Sequence, residues 1–81
     1  MPFDLFSDVI LTGDLPDEGL KAGDVGTVVE RHVVPAKVDG YSVEFFDMTG
    51  ETVAVATIPE TLLRVPTRTD RPAVRALAAA T

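Results

Sequence analysis

The valine-rich run VGTVVERHVV, residues 25–34, is the feature that most restricts how this chain can fold. It contains Gly26 and is followed by Pro35, and a β-branched run bounded in this way is typical of a β-strand. Other short apolar segments follow one another along the chain, separated by turns that contain glycine or proline. Together they predict five strands, at residues 8–12, 25–34, 41–47, 51–58 and 62–65. A long first loop followed by tight turns favours a closed or nearly closed antiparallel barrel in an all-β domain.

Two segments predict helical structure. PETLL at residues 59–63 predicts a single helical turn, because proline suits the first helical position. The alanine-rich residues 70–80 predict a helix with Asp70 at the N-cap. This helix is too short to be stable alone, so it is either frayed or held by packing of Val74 and Leu77.

Charge is distributed unevenly along the 81 residues, whose net charge is −6. Residues 1–63 carry three cations and twelve acids, whereas residues 64–81 carry four arginines and one aspartate. We therefore expect a barrel domain at residues 1–66 and a basic Ala/Arg-rich tail at residues 67–81. The tail is either a frayed end or a segment that docks on an acidic face of a neighbouring copy or another protein. The acidic body repels phosphate backbones, which disfavours nucleic acid as a partner.

Residues that could carry chemistry are few. The chain has no cysteine and a single histidine, His32, and Ser7 and Ser42 have no base nearby in the sequence. Gly23 and Gly26 lead into a strand, whereas a phosphate loop leads into a helix N-terminus. They indicate a turn or a close approach of two backbones. We expect no catalytic residue, no metal site and no cofactor, and the chain is predicted not to be an enzyme.

The predicted compartment follows from what the sequence lacks. No apolar run reaches the roughly 20 residues that span a bilayer. The N-terminal MPFDLFSDVIL has two aspartates and lacks the basic region of a secretory signal. Because a chain without cysteine is also compatible with a reducing compartment, we expect a cytoplasmic protein with no membrane partner.

Two sets of residues are candidates for binding a partner protein. The apolar set comes from the two strands of the predicted hairpin. One alternative is that the tail or the N-terminal segment PFDLF covers it. The other is that it forms a protein–protein interface, most simply that of a homodimer. The acidic set lies in and beside the first loop and would serve as a docking face for a protein. The apolar set is Phe46, Val53 and Val55, and the acidic set is Asp14, Asp17, Glu18 and Asp24.

The entry to the second strand resembles a known module. Residues 23–32, GDVGTVVERH, are similar to the G-D-x-G-x-V start of KOW domains. These domains are small SH3-like barrels of ribosomal and transcription proteins and usually carry basic residues around this loop, where the present chain is acidic. The resemblance implies an SH3-like barrel and, as an alternative function, association with RNA or the ribosome.

A longer resemblance covers about residues 8–65. The blocks DVILTGDLPDEGLKAGDVGTVVE and YSVEFFDMTGETVAVATIPETLL follow the order and spacing of a family of small bacterial domains of unknown function. This resemblance implies an SH3-like barrel without assigned catalytic residues, in a family whose members often sit beside toxin-like genes. The resulting hypothesis is a non-catalytic protein-interaction module that binds an as yet unknown partner protein, as an antitoxin-like, immunity-like or accessory subunit.

Overall fold

A computed structural model of the protein describes residues 3–33, 35 and 37–76. It contains one sheet of five antiparallel strands in the order β4-β3-β2-β1-β5. The strands are β1 (Asp8–Leu11), β2 (Val25–His32), β3 (Gly40–Phe46), β4 (Thr52–Pro59) and β5 (Leu63–Arg64). The predicted all-β fold of five antiparallel strands is confirmed. Among the described residues, β4 and β5 lie at the two ends of this order, so closure into a barrel stays a prediction.

One face of the sheet carries the core. Along β3, Tyr41, Val43 and Phe45 are buried, whereas Ser42 and Glu44 are partly exposed. This is the period-two alternation of a strand with one packed face. The remaining large members of the core come from the other four strands and the first loop: Val9, Ile10, Leu11, Leu20, Val28, Ile58 and Leu63.

The helical turns of the body are both 3₁₀ turns. One spans Pro16–Glu18 in the first loop, and the other spans Glu60–Leu62, within the predicted turn at residues 59–63. The prediction for residues 59–63 is confirmed. Within the described part of the chain, neither turn is long enough to cross a membrane.

The N-terminal segment packs on the far side of the core from the hairpin tip. Its backbone continues the ladder between β1 and β2, since the Phe6 amide donates to the Val28 carbonyl oxygen at 2.6 Å. The Phe3 amide donates to the buried Tyr41 hydroxyl at 3.0 Å, and the two rings lie edge to face with centroids 5.2 Å apart. This contact adds to the stabilisation from burial of the Tyr41 ring.

The predicted helix at residues 70–80 is wrong over its described part, because residues 71–76 form neither helix nor strand. Residues 77–80, with Leu77, lie outside the described residues. Asp70 does not cap a helix; its carboxylate is bound by Arg64 and by the Thr67 amide. Val74 is 78% exposed and does not pack in the core. The described part of the tail is therefore not helical, which agrees with the low stability expected of so short a helix alone.

The hairpin between β3 and β4 is closed by Asp47. One of its carboxylate oxygens accepts hydrogen bonds from the Thr49 amide at 2.8 Å, the Thr49 hydroxyl at 2.7 Å and the Glu51 amide at 3.0 Å. These bonds, led by that of the Thr49 hydroxyl, lower the pKa of Asp47. Gly50 has a φ of 91°, a left-handed conformation that glycine adopts without steric cost. The hairpin with Gly50 in its turn is as predicted.

Gly26 of β2 lies close against β3, with no room for a side chain. A Cβ atom at this position would lie 2.5 Å from Cγ1 of Val43 and 3.0 Å from the carbonyl oxygen of Glu44. Both distances are too short for an ordinary contact. Of the two predicted explanations for Gly26, the structure therefore shows the close approach of backbones.

We predict that Gly26→Ala lowers the free energy of unfolding by about 1–3 kcal/mol, because the added methyl group overpacks the contact with Val43. Gly40→Ala is the matched control, since its Cβ would meet nothing closer than 3.7 Å. Urea unfolding of both variants measures the difference. Equal stability of Gly26→Ala and the wild type would contradict this account of the strand contact.

Candidate functional site

A groove of about 860 Å³ lies between the first loop, the end of the β3–β4 hairpin and the C-terminal tail. The body of the protein contributes apolar side chains to its lining, among them Val25, Phe46 and Val53. The tail contributes the opposite side through residues 66–67 and 70–75. The groove therefore has one wall from the body of the protein and one wall from a segment without regular structure.

The body's share of the groove is acidic. Its charged lining residues are four carboxylates and one arginine, which gives a net charge of −3: Asp8, Glu18, Asp24, Asp47 and Arg64. The tail adds Asp70, Arg71 and Arg75, which brings the net charge of the lining to −2. Opposite charges thus face each other across the groove.

Arg75 joins the tail to the first loop. Its guanidinium contacts both carboxylate oxygens of Asp24, with Nη2 at 2.5 Å from Oδ2 and Nε at 3.2 Å from Oδ1. Nη2 also lies 3.4 Å from the carbonyl oxygen of Gly19. The hydrogen bond to Asp24 raises the pKa of Arg75 above its ordinary value. Asp24 is held in place because it also accepts the Lys21 amide at 2.9 Å, immediately before β2 begins.

A second ion pair holds the base of the tail. Arg64 in β5 donates from Nη1 and Nη2 to the two carboxylate oxygens of Asp70, at 2.9 and 2.8 Å. The Thr67 amide donates to the same carboxylate at 2.6 Å and closes a tight turn. The Arg64 hydrogen bond is the main reason why the pKa of Asp70 lies well below its usual range. The tail therefore leaves β5 in a fixed direction.

The acidic set is divided by the structure. Glu18 and Asp24 line the groove, whereas Asp14 and Asp17 do not. Asp14 accepts the Ala22 amide at 2.9 Å and thereby helps to fold the loop. Asp17 is exposed in the first 3₁₀ turn. The interaction role of all four residues stays a prediction, and the groove brings two of them together.

The apolar set is divided as well. Phe46 and Val53 line the groove and are 43% and 37% exposed, so the tail lies beside them without covering them. Val55 is not part of the lining and pairs across the strands with Glu44. A bulge between Phe45 and Phe46 shifts the register of the hairpin by one residue at its end, so that Phe46 pairs with Thr52.

Ser42 and His32 form a cross-strand pair that the sequence did not predict. The Ser42 hydroxyl lies 2.8 Å from Nε2 of His32, so the fold gives Ser42 a neighbouring base that is 10 positions away in the sequence. The carboxylate of Glu30 lies 3.8 Å from the same nitrogen atom. A nucleophilic triad needs the acid on the other ring nitrogen, which is not the arrangement here. Neither residue lines the groove.

Groups of three or more metal-ligating side chains do not converge anywhere in residues 3–33, 35 and 37–76.

Arg75 was missed as a site residue because its partner, Asp24, is 51 positions away in the sequence. The basic character of the tail was the one signal that pointed to it.

We predict that the contribution of Asp70 to stability depends on pH. Because the folded pKa of Asp70 is lowered, this contribution is complete above its ordinary value of 3.8 and is lost as the pH falls towards the folded pKa. Thermal unfolding of wild type and Asp70→Asn between pH 7 and pH 2 should therefore give melting temperatures that converge at low pH. A constant difference down to pH 2 would contradict the Arg64–Asp70 ion pair.

We predict that Ser42 does not react as a nucleophile, since Glu30 does not orient the His32 ring from the second ring nitrogen. Intact-mass spectrometry after treatment with a fluorophosphonate probe at neutral pH should show unmodified protein. Stoichiometric labelling that is lost in His32→Ala would show instead an activated serine.

Comparison with known proteins places this sheet in a family. Residues 5–65 match a family model described as a domain of unknown function, DUF4926. No curated protein and no solved structure matches the chain. The matched residues include all five strands and the acidic loop, and they end before the docked part of the tail. The predicted resemblance to a family of small domains of unknown function is confirmed, and the chain belongs to the DUF4926 family.

Proposed function

We propose that the chain is a non-catalytic, cytoplasmic protein-interaction module, which binds a basic segment of a partner protein in its acidic groove. The observation that carries this proposal is the contact of Arg75 with Asp24 and the Gly19 carbonyl oxygen. One end of the groove already binds an arginine, and that arginine comes from the chain's own tail.

Charge supports a basic partner. The part of the groove formed by the body carries a net charge of −3, and the body as a whole is strongly acidic. Complementary fields accelerate the encounter of two proteins and suppress wrong partners. The same carboxylates would repel the phosphates of RNA, so the groove favours a protein over the KOW-like alternative.

Apolar exposure supports a partner that buries surface as well as charge. Val25, Phe46 and Met48 line the groove and are 49%, 43% and 86% exposed. A partner that covers these side chains and pairs with the surrounding carboxylates would have an apolar centre with a charged rim, as protein interfaces do. Such a module would serve as an antitoxin-like, immunity-like or accessory subunit. The homodimer through the apolar set stays a separate prediction.

The test uses two neighbouring positions in the first 3₁₀ turn. We predict that Glu18→Lys weakens binding of the partner about tenfold, because it reverses a charge that faces the groove. Asp17→Lys makes the same change one residue away, outside the lining, and should leave the affinity nearly unchanged. The partner is first captured from the native host at low salt, and its affinity is then measured with purified proteins.

Two results would contradict the proposal. Equal affinities of Glu18→Lys and wild type would place the binding surface elsewhere. Salt-sensitive binding of mixed RNA, with no stoichiometric protein captured, would favour the KOW-like alternative instead.

A further inference from the structure

We infer that Arg75 occupies the partner's arginine site from within the same chain, and that the partner presents an arginine to Asp24 and the Gly19 carbonyl oxygen. This inference rests on the proposed function and specifies it further. It makes Arg75 a competitor of the partner: the carboxylate of Asp24 can bind the partner's arginine only when Arg75 leaves it.

The contacts of Arg75 specify arginine over lysine. Two different nitrogen atoms of the guanidinium reach two different oxygen atoms of Asp24, and one of them also approaches the Gly19 carbonyl oxygen. This use of a planar group with several donors is not available to a lysine ammonium, which is a single compact charge. Asp24 and Gly19 therefore form a site shaped for a guanidinium.

The residues before Arg75 specify little of the segment. Pro72, Ala73 and Val74 line the groove, but all three are exposed, and Val74 is 78% exposed. The arginine is therefore the part of the segment that the site selects.

The tail is held weakly enough to be displaced. Among the described residues, the backbone of residues 66–76 makes one hydrogen bond to another backbone group, from the Asp70 amide to the Thr67 carbonyl oxygen, and none to the backbone of the sheet. Docking of residues 71–76 therefore depends on side chains, and the Arg75 side chain is 36% exposed to solvent. Exposed ion pairs contribute little to stability and weaken with salt. The turn held by Arg64 and Asp70 keeps the base of the tail in place while its end can exchange.

The experiment measures the affinity of the full-length protein for the capped hexapeptide RPAVRA, which is the sequence of residues 71–76. Changes in the protein's amide chemical shifts in NMR report the binding. The receptors are wild type, Arg75→Ala and Arg68→Ala. Arg68→Ala is the matched control, because it removes one arginine from the same tail at a position outside the groove lining. A second peptide replaces the arginine equivalent to Arg75 by lysine.

We expect the peptide to shift the amides of Gly19, Asp24 and Val25. It should bind Arg75→Ala about three- to fivefold more tightly than wild type or Arg68→Ala, because the tethered competitor is weakened. The lysine peptide should bind more weakly than the arginine peptide to every receptor. Equal affinity for wild type and Arg75→Ala would overturn occupancy by the tail. No binding to any receptor, or equal binding of the lysine peptide, would overturn arginine recognition.

These outcomes are separable from failure of the proposed function. One combination of results would leave the groove a protein-binding site but show that the inference about its occupant is wrong. In that case Glu18→Lys weakens binding of the partner, but the peptide binds wild type and Arg75→Ala equally, and the lysine peptide binds as tightly as the arginine peptide. If the partner is insensitive to Glu18→Lys, the proposed function itself is wrong.

Discussion

The close contact of β3 with Gly26 is the constraint on which the rest of this small domain depends. Gly26 pairs with Val9 of β1 on one side and with Phe45 of β3 on the other, so it joins both halves of the sheet. The missing side chain allows Val43 and Phe45 to pack directly over the β2 backbone. Asp24 precedes Gly26 by two residues, and the residue between them, Val25, lines the groove. Close packing of β2 therefore also fixes the position of the carboxylate that receives Arg75.

The separation of charge along the chain has a structural role once the sheet is formed. An acidic body of this size repels itself, and a basic segment that returns to it relieves part of that repulsion. The tail does so through Arg75, which binds Asp24. At its base the arginine is Arg64 of β5, and the tail supplies the acid, Asp70. The sequence left open whether the tail is frayed or docks on another molecule. The structure shows a third arrangement, docking on the chain's own acidic loop.

The strands could be predicted because their signals are local. Alternation of Tyr41, Val43 and Phe45 with polar residues identifies β3 without knowledge of any other strand. Contacts between distant residues could not be predicted in this way. Arg75 meets Asp24 only because β5 leads the tail back past the first loop, and Ser42 meets His32 only because β2 and β3 are neighbours. The bulge that pairs Phe46 with Thr52 depends on how β3 and β4 meet, and no local pattern of residues shows it.

The central claim is that the tail is docked on the acidic loop by charge. Backbone ¹⁵N relaxation of the amides of Arg71, Ala73, Val74, Arg75 and Ala76, at low salt and at about 1 M salt, tests it most directly, since about 1 M salt reduces the Debye length to about 3 Å. At low salt we expect order parameters above about 0.6, because the tail is docked, and at high salt values below about 0.6, as in a flexible segment. Order parameters below about 0.6 already at low salt would contradict the claim.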